Sequence, residues 1–216
     1  MNAPLRQASI VRRFAVGPGA ALLVVADVAT LGFITLGFEM VASRILTPLF
    51  GSGIYTWATI ISIVVAGLMA GYFLGGILAD RFPGFGFAAV IKLGGAAYLL
   101  LVFFLTSGPL EDLVGIIPDA TAALFTSGLV VCFPPLLVLG MYSPLSVRLL
   151  LREPGDAGRI SGGLFAISSL GNIAGISVTT FVLIPSIGTR AITLAFATFL
   201  VLSGLASIAA RSTARR

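Results

Sequence analysis

The chain has 216 residues, of which 10% are charged and 58% apolar, with a formal net charge of +5. Soluble domains carry about 25% charged residues, so this composition, with a mean hydropathy of +1.11, excludes an ordinary soluble fold and predicts an all-α integral membrane protein. Histidine is absent and Cys132 is the single cysteine. Disulfides, Cys/His metal sites and histidine acid–base chemistry are therefore excluded within the chain, and no cofactor, metal or nucleic-acid partner is expected.

In chain order, residues 1–18 read as an arginine-bearing N-terminal segment. The apolar run that follows is far longer than the short core of a signal peptide, so it is expected to be retained. Six stretches reach the roughly 20 residues a helix needs to cross a bilayer. They fall at about 20–49, 54–79, 85–106, 121–151, 160–184 and 191–210, within one transmembrane domain over 19–210. Residues 107–120 read as a loop carrying Glu111, Asp112 and Asp119. The fourth stretch is expected to be broken by Pro134-Pro135 and by Pro144, and residues 151–159 form the longest charged loop. A basic tail, 211–216, closes the chain.

An even number of crossings puts both ends on one side. Arg81, Arg148, Arg152 and Arg159 then share that side with the arginines of both tails, and only Arg44 and Arg190 lie opposite. By the positive-inside rule the ends are expected in the cytoplasm.

The second stretch sets out Gly67, Gly71 and Gly75 at four-residue intervals, one face of a helix. Gly171 and Gly175 repeat the pattern in the fifth. Small residues at this spacing let helices approach closely in lipid. Close packing against another helix is expected at both faces, and on a transport reading they supply the interface with a second chain.

Ionisable groups inside a span are costly and are usually partnered or functional. Asp27, Lys92 and Tyr72 sit at similar depth, about 10 Å in from the cytoplasmic ends of their helices. Asp27 and Lys92 either pair with each other or reach separately toward the interface, Lys92 by snorkelling. Glu39 continues a weakly polar face with Gly32, Thr35 and Ser43 that is a candidate cavity wall. Arg44, near the outer surface, either leans back toward Glu39 or meets lipid headgroups. Tyr55 and Trp57 read as an interfacial belt. Asn172 is either a packing residue or a hydrogen-bonding group for a substrate. Asp27, Glu39, Arg44, Tyr72, Lys92 and Asn172 are thus the candidate substrate or cavity residues. No hydrolase, zinc-protease or nucleotide-binding motif is present, so no enzyme activity is expected.

Gly76-Ile77-Leu78-Ala79-Asp80-Arg81 resembles the G-x-L-A-D-R cytoplasmic loop of the major facilitator superfamily, and its place after the second span fits that motif. A closer resemblance is to the membrane domain of the bacterial spermidine synthase-like proteins, also described as fused facilitator/spermidine synthase. It is carried by EMVASRILTP from Glu39 with Gly51-Ser52, and by Trp57, Ala66-Gly67, Gly71-Tyr72, Gly75-Gly76 and Ala79-Asp80-Arg81. Gly140-Met141-Tyr142-Ser143-Pro144, Ser161-Gly162-Gly163 and Gly171-Asn172 add to it.

The resemblance implies a six-helix bundle like one half of a facilitator, in a bacterial cytoplasmic membrane. In that family the membrane part usually precedes a soluble aminopropyltransferase-like domain. These residues hold no counterpart of it, so its activity does not carry over. Two functions follow as expectations. One is passage of a small solute, a cationic polyamine-like molecule being one class, by a homodimer or with another membrane chain. The alternative is an anchor or scaffold for a soluble synthase-like enzyme or another membrane complex.

Overall fold

In lipid the backbone's polar groups find partners only within the protein, which favours continuous helix over long apolar stretches. The computed structural model describes residues 17–151 and 153–213. Most of the N-terminal segment, with Arg6, Arg12 and Arg13, lies outside the described residues, as do Arg152, Arg215 and Arg216. The described residues are almost all helical apart from short connections, with no strand among them. In order they form α1 (Pro18–Phe50), α2 (Ile54–Arg81), α3 (Phe85–Leu105), α4 (Pro109–Ile116), α5 (Ala120–Gly140) and α6 (Tyr142–Leu150). A 3-10 turn over Pro154–Asp156 then leads into α7 (Ala157–Val178), a π-helical turn (Thr179–Leu183) and α8 (Ile184–Thr213). By length and composition five stretches could cross a membrane: α1, α2, α3, α5 with α6, and the 55-residue run Ala157–Arg211.

Three local features differ from expectation. The acidic stretch after α3 is not all loop, because Pro109–Ile116 is a helix with Pro109 in its first turn and Glu111 and Asp112 facing the positive end of its dipole. Asp119 then caps α5, its carboxylate accepting from Ala122 N at 2.7 Å. Pro134 and Pro135 do not break α5, which runs through both. Pro134 has no N–H for the carbonyl four residues back, that of Val130. The Tyr98 hydroxyl of α3 donates to Val130 O instead, at 2.8 Å, so that carbonyl keeps a partner and the helix continues to Gly140.

The third difference is over the two stretches expected at 160–184 and 191–210. No loop separates them. The single non-helical residue is Gly188, at φ 75 and ψ 165, a conformation open to glycine and strained for other residues. The chain nevertheless reverses there. Going up α1 through Ala29, Phe33 and Gly37, the neighbours on α7 and the π turn ascend too: Gly171, Gly175 and Thr179. Beyond Gly188 the order falls. Phe196 meets Phe33 edge-on at 6.1 Å, and Ser203 bonds Asp27 deeper along α1. Against α3 the order is likewise inverted, with Arg190 over Phe103 at one end and Arg211 beside Gly86 at the other.

The glycine faces are occupied inside this bundle. A methyl on Gly71 would lie 2.3 Å from Leu137 O of α5, and one on Gly75 would lie 2.5 Å from Met141 Cα. Gly67 faces Phe133 O in the same seam. On the other side, methyls on Gly171 and Gly175 would come within 2.1 Å of Ala29 O and 2.2 Å of Phe33 O. Small residues here bring α2 onto α5 and α7 onto α1, backbone to backbone. The expectation that these faces join two chains is corrected: both grooves are already filled. Gly76, next along α2, has nothing within 4 Å.

Candidate functional site

Asp27 sits on α1 and Lys92 on α3, and the seam between α3 and α8 brings Ser203 and Ser207 alongside them. Lys92 is fully buried and Asp27 is 4% exposed. An ammonium so placed needs acceptors for all its hydrogens. Lys92 Nζ pairs with Asp27 Oδ2, donates to Ser207 Oγ at 2.8 Å and reaches Ser203 O at 3.4 Å. The carboxylate is equally complete. Ser203 Oγ donates to Asp27 Oδ1 at 2.7 Å, and Tyr142 OH donates to Oδ2 at 2.9 Å. The ammonium also stands 5.3 Å from the centre of the Tyr142 ring, within cation–π range. Four helices therefore meet on one neutral, closed network. Burying either charge alone would cost several kcal/mol, about the scale of a domain's whole stability. Pairing removes that cost because both charged groups are also hydrogen-bonded, the ammonium to Asp27, Ser207 and Ser203 and the carboxylate to Lys92, Tyr142 and Ser203.

Tyr142 has a second neighbour. Its side chain lines a cavity of about 60 Å³ between α1, α2, α6 and α7, room for about four waters. Gly32 and Thr35 of α1, Tyr72 of α2, Ser143 and Ser146 of α6, and Ser168 and Asn172 of α7 also line it. Gly32 makes the narrowing possible, since a methyl there would lie 2.6 Å from Ser168 O and 3.0 Å from Asn172 Oδ1. Thr35 and Ser146 donate to carbonyls of their own helices, at Leu31 and Ser143, 2.7 and 2.6 Å away. The polar ends of Tyr72, Ser143, Ser168 and Asn172 make no hydrogen bond to any described residue.

The candidate residues thus separate. Asp27 and Lys92 come together. Tyr72 and Asn172 come to the cavity wall, and Tyr72, which shares the expected depth of the ion pair, takes no part in it. Glu39 lies off this wall, on α1 beyond Leu36. It is half-buried and forms neither a hydrogen bond nor an ion pair with described residues. Arg44 does not lean back to Glu39: it is exposed and unpaired with it. Ser43 donates to Met40 O of its own helix. Trp57 and Tyr55 are exposed, at 39% and 83%, as a belt residue needs to be.

At the far end of α2, the exposed Asp80 lies 3.6 Å from Arg148 Nε of α6, a loose pair in which the arginine is half-buried. Arg81 leans over Phe82, 5.6 Å from its ring centre. Gly76 adds no contact.

Tyr142, Ser203 and Ser207 escape a reading of ionisable groups. Their one signal in the sequence is spacing: Ser203 and Ser207 are four apart on a helix, facing one way. Comparison with known protein families, with curated proteins and with solved structures finds no match for this chain.

Proposed function

We propose that the chain is a multi-pass protein of a bacterial cytoplasmic membrane that crosses the bilayer six times and passes a small polar solute. On this reading Gly188 turns the fifth crossing into the sixth, and both ends lie in the cytoplasm. It works as a half-facilitator, with a second copy or another membrane chain completing the path. The observation that carries the reading is the polar cavity itself. Tyr72, Ser143, Ser168 and Asn172 bring three hydroxyls and an amide to one wall, none of them hydrogen-bonded to a described residue, so water or a solute can meet them there. A protein that only anchors a partner has no use for such a wall.

The buried network gives the cavity a firm wall, since Tyr142 belongs to both. Asp27 is occupied by Lys92, so a cationic, polyamine-like solute would have only Glu39 to meet it. No catalytic role is assigned to any residue.

The experiment is flux. Purified chain in sealed liposomes should admit a small polar solute faster than empty vesicles, and Asn172→Leu should slow that entry. Absence of flux for every solute tried, with a soluble companion co-purifying in mild detergent, would replace this reading by the scaffold.

A further inference from the structure

We infer that the cavity is a binding site for a small uncharged solute that both donates and accepts hydrogen bonds, such as a polyol or a simple amide. The inference rests on the transport reading and narrows it to a solute class.

Size comes first. A volume of about 60 Å³, room for about four waters, suits a solute of roughly four to six non-hydrogen atoms. Chemistry comes next. Asn172 offers two donors and an acceptor, and Tyr72, Ser143 and Ser168 each offer a hydroxyl with no protein partner among the described residues. Thr35 and Ser146 have spent their hydrogens on backbone carbonyls, so at the wall they are acceptors. The mixture matches groups that are donor and acceptor at once.

Charge then decides between classes. No ionised side chain stands on this wall. Asp27 and Lys92, next to the lining residue Tyr142, neutralise each other, and Tyr142 donates its hydrogen to Asp27. A cation entering here would give up its hydration without an anion to replace it, a penalty of several kcal/mol. An uncharged solute exchanges one set of hydrogen bonds for another. The wall selects by withholding a counter-charge.

The test uses purified chain in liposomes, with stopped-flow light scattering following glycerol, urea, methylammonium and putrescine. Glycerol or urea should enter faster than into empty vesicles. The variant Asn172→Leu/Ser168→Ala should slow that entry about tenfold, the loss expected when one hydrogen bond to the solute goes unmade, with its unfolding midpoint close to wild type. Should the vesicles pass none of the probes, equilibrium binding of labelled glycerol to detergent-solubilised protein decides. Binding lost in the same variant keeps the site while the transport reading falls. Binding absent in wild type overturns the site. Entry of putrescine or methylammonium that Glu39→Gln abolishes and the double variant spares overturns the uncharged class and leaves transport standing.

Discussion

Tyr142 and Lys92 share one oxygen, Oδ2 of Asp27, the phenol donating to it from one side and the ammonium from the other. Removing either charge leaves the other buried and unpaired, a loss of about 3–5 kcal/mol. Lys92→Met and Asp27→Asn should each lower stability by this order. The double variant Lys92→Met/Asp27→Asn should recover most of it, since no buried charge remains. A double variant as unstable as the two losses summed would show that the pair does not act as a unit. Unfolding can be followed with a thiol-reactive dye, because Cys132 is the single cysteine and is fully buried.

Tyr142→Phe keeps the ring and deletes one hydrogen bond to a charged group. The cost should be about 1–3 kcal/mol, less than loss of either ion. Asp27 Oδ2 still has Lys92, so the fold should persist and the same dye should report a modest drop in midpoint. A drop as large as that of Lys92→Met would mean the hydroxyl holds more than this one contact.

The glycines of α2 differ sharply although they are neighbours in sequence. Gly71→Ala places a methyl 2.3 Å from Leu137 O, and overpacking of this kind costs about 1–3 kcal/mol. Gly76→Ala meets nothing within 4 Å and should be neutral or stabilising by up to about 1 kcal/mol through helix propensity. Equal effects from the two would refute the packing described for the α2–α5 seam.

Gly188→Ala forces a side chain into a positive-φ conformation, at about 1–2 kcal/mol. The chain reverses at that one residue, so the damage should appear as loosened contacts of α8. The same thiol-reactive dye reports it: Cys132 should be reached at a lower unfolding midpoint with alanine at 188 than with glycine, and an unchanged midpoint would show that the turn tolerates a side chain.

Asp80→Ala should change stability by less than about 1 kcal/mol, as for an exposed ion pair. Its partner Arg148 is 3.6 Å away and Asp80 itself is largely exposed. A large thermal shift would show that this end of α2 is held by contacts beyond the pair.

Much of the helix layout was legible because lipid-length apolar runs leave few alternatives. The limits of α1, α2 and α3 lie within about two residues of the sequence estimate, the usual uncertainty of a helix end. The ion pair was legible as an option, since Asp27 and Lys92 are opposite charges at matching depth. Tyr142, Ser203 and Ser207 were not, because a hydroxyl on a helix commonly bonds a carbonyl of its own turn. Thr35, Thr47 and Ser161 do so here, and nothing local separates them from Ser203. The proline pair misled for a related reason. Composition shows the missing N–H of Pro134 but not that Tyr98, 32 residues from Val130, replaces it. A glycine groove, likewise, states that something packs closely without naming which helix.

The distance along the chain between Asp27 and its partners has a consequence during synthesis. Lys92 follows Asp27 by 65 residues and Ser203 by 176. At about 5–20 residues per second, the ribosome spends roughly 3–13 s between the carboxylate and the ammonium that neutralises it. Through that interval the first helix carries a carboxylate whose partners are still to be made. The ammonium arrives with α3, the Tyr142 hydroxyl with α6, and Ser203 and Ser207 only with the last helix.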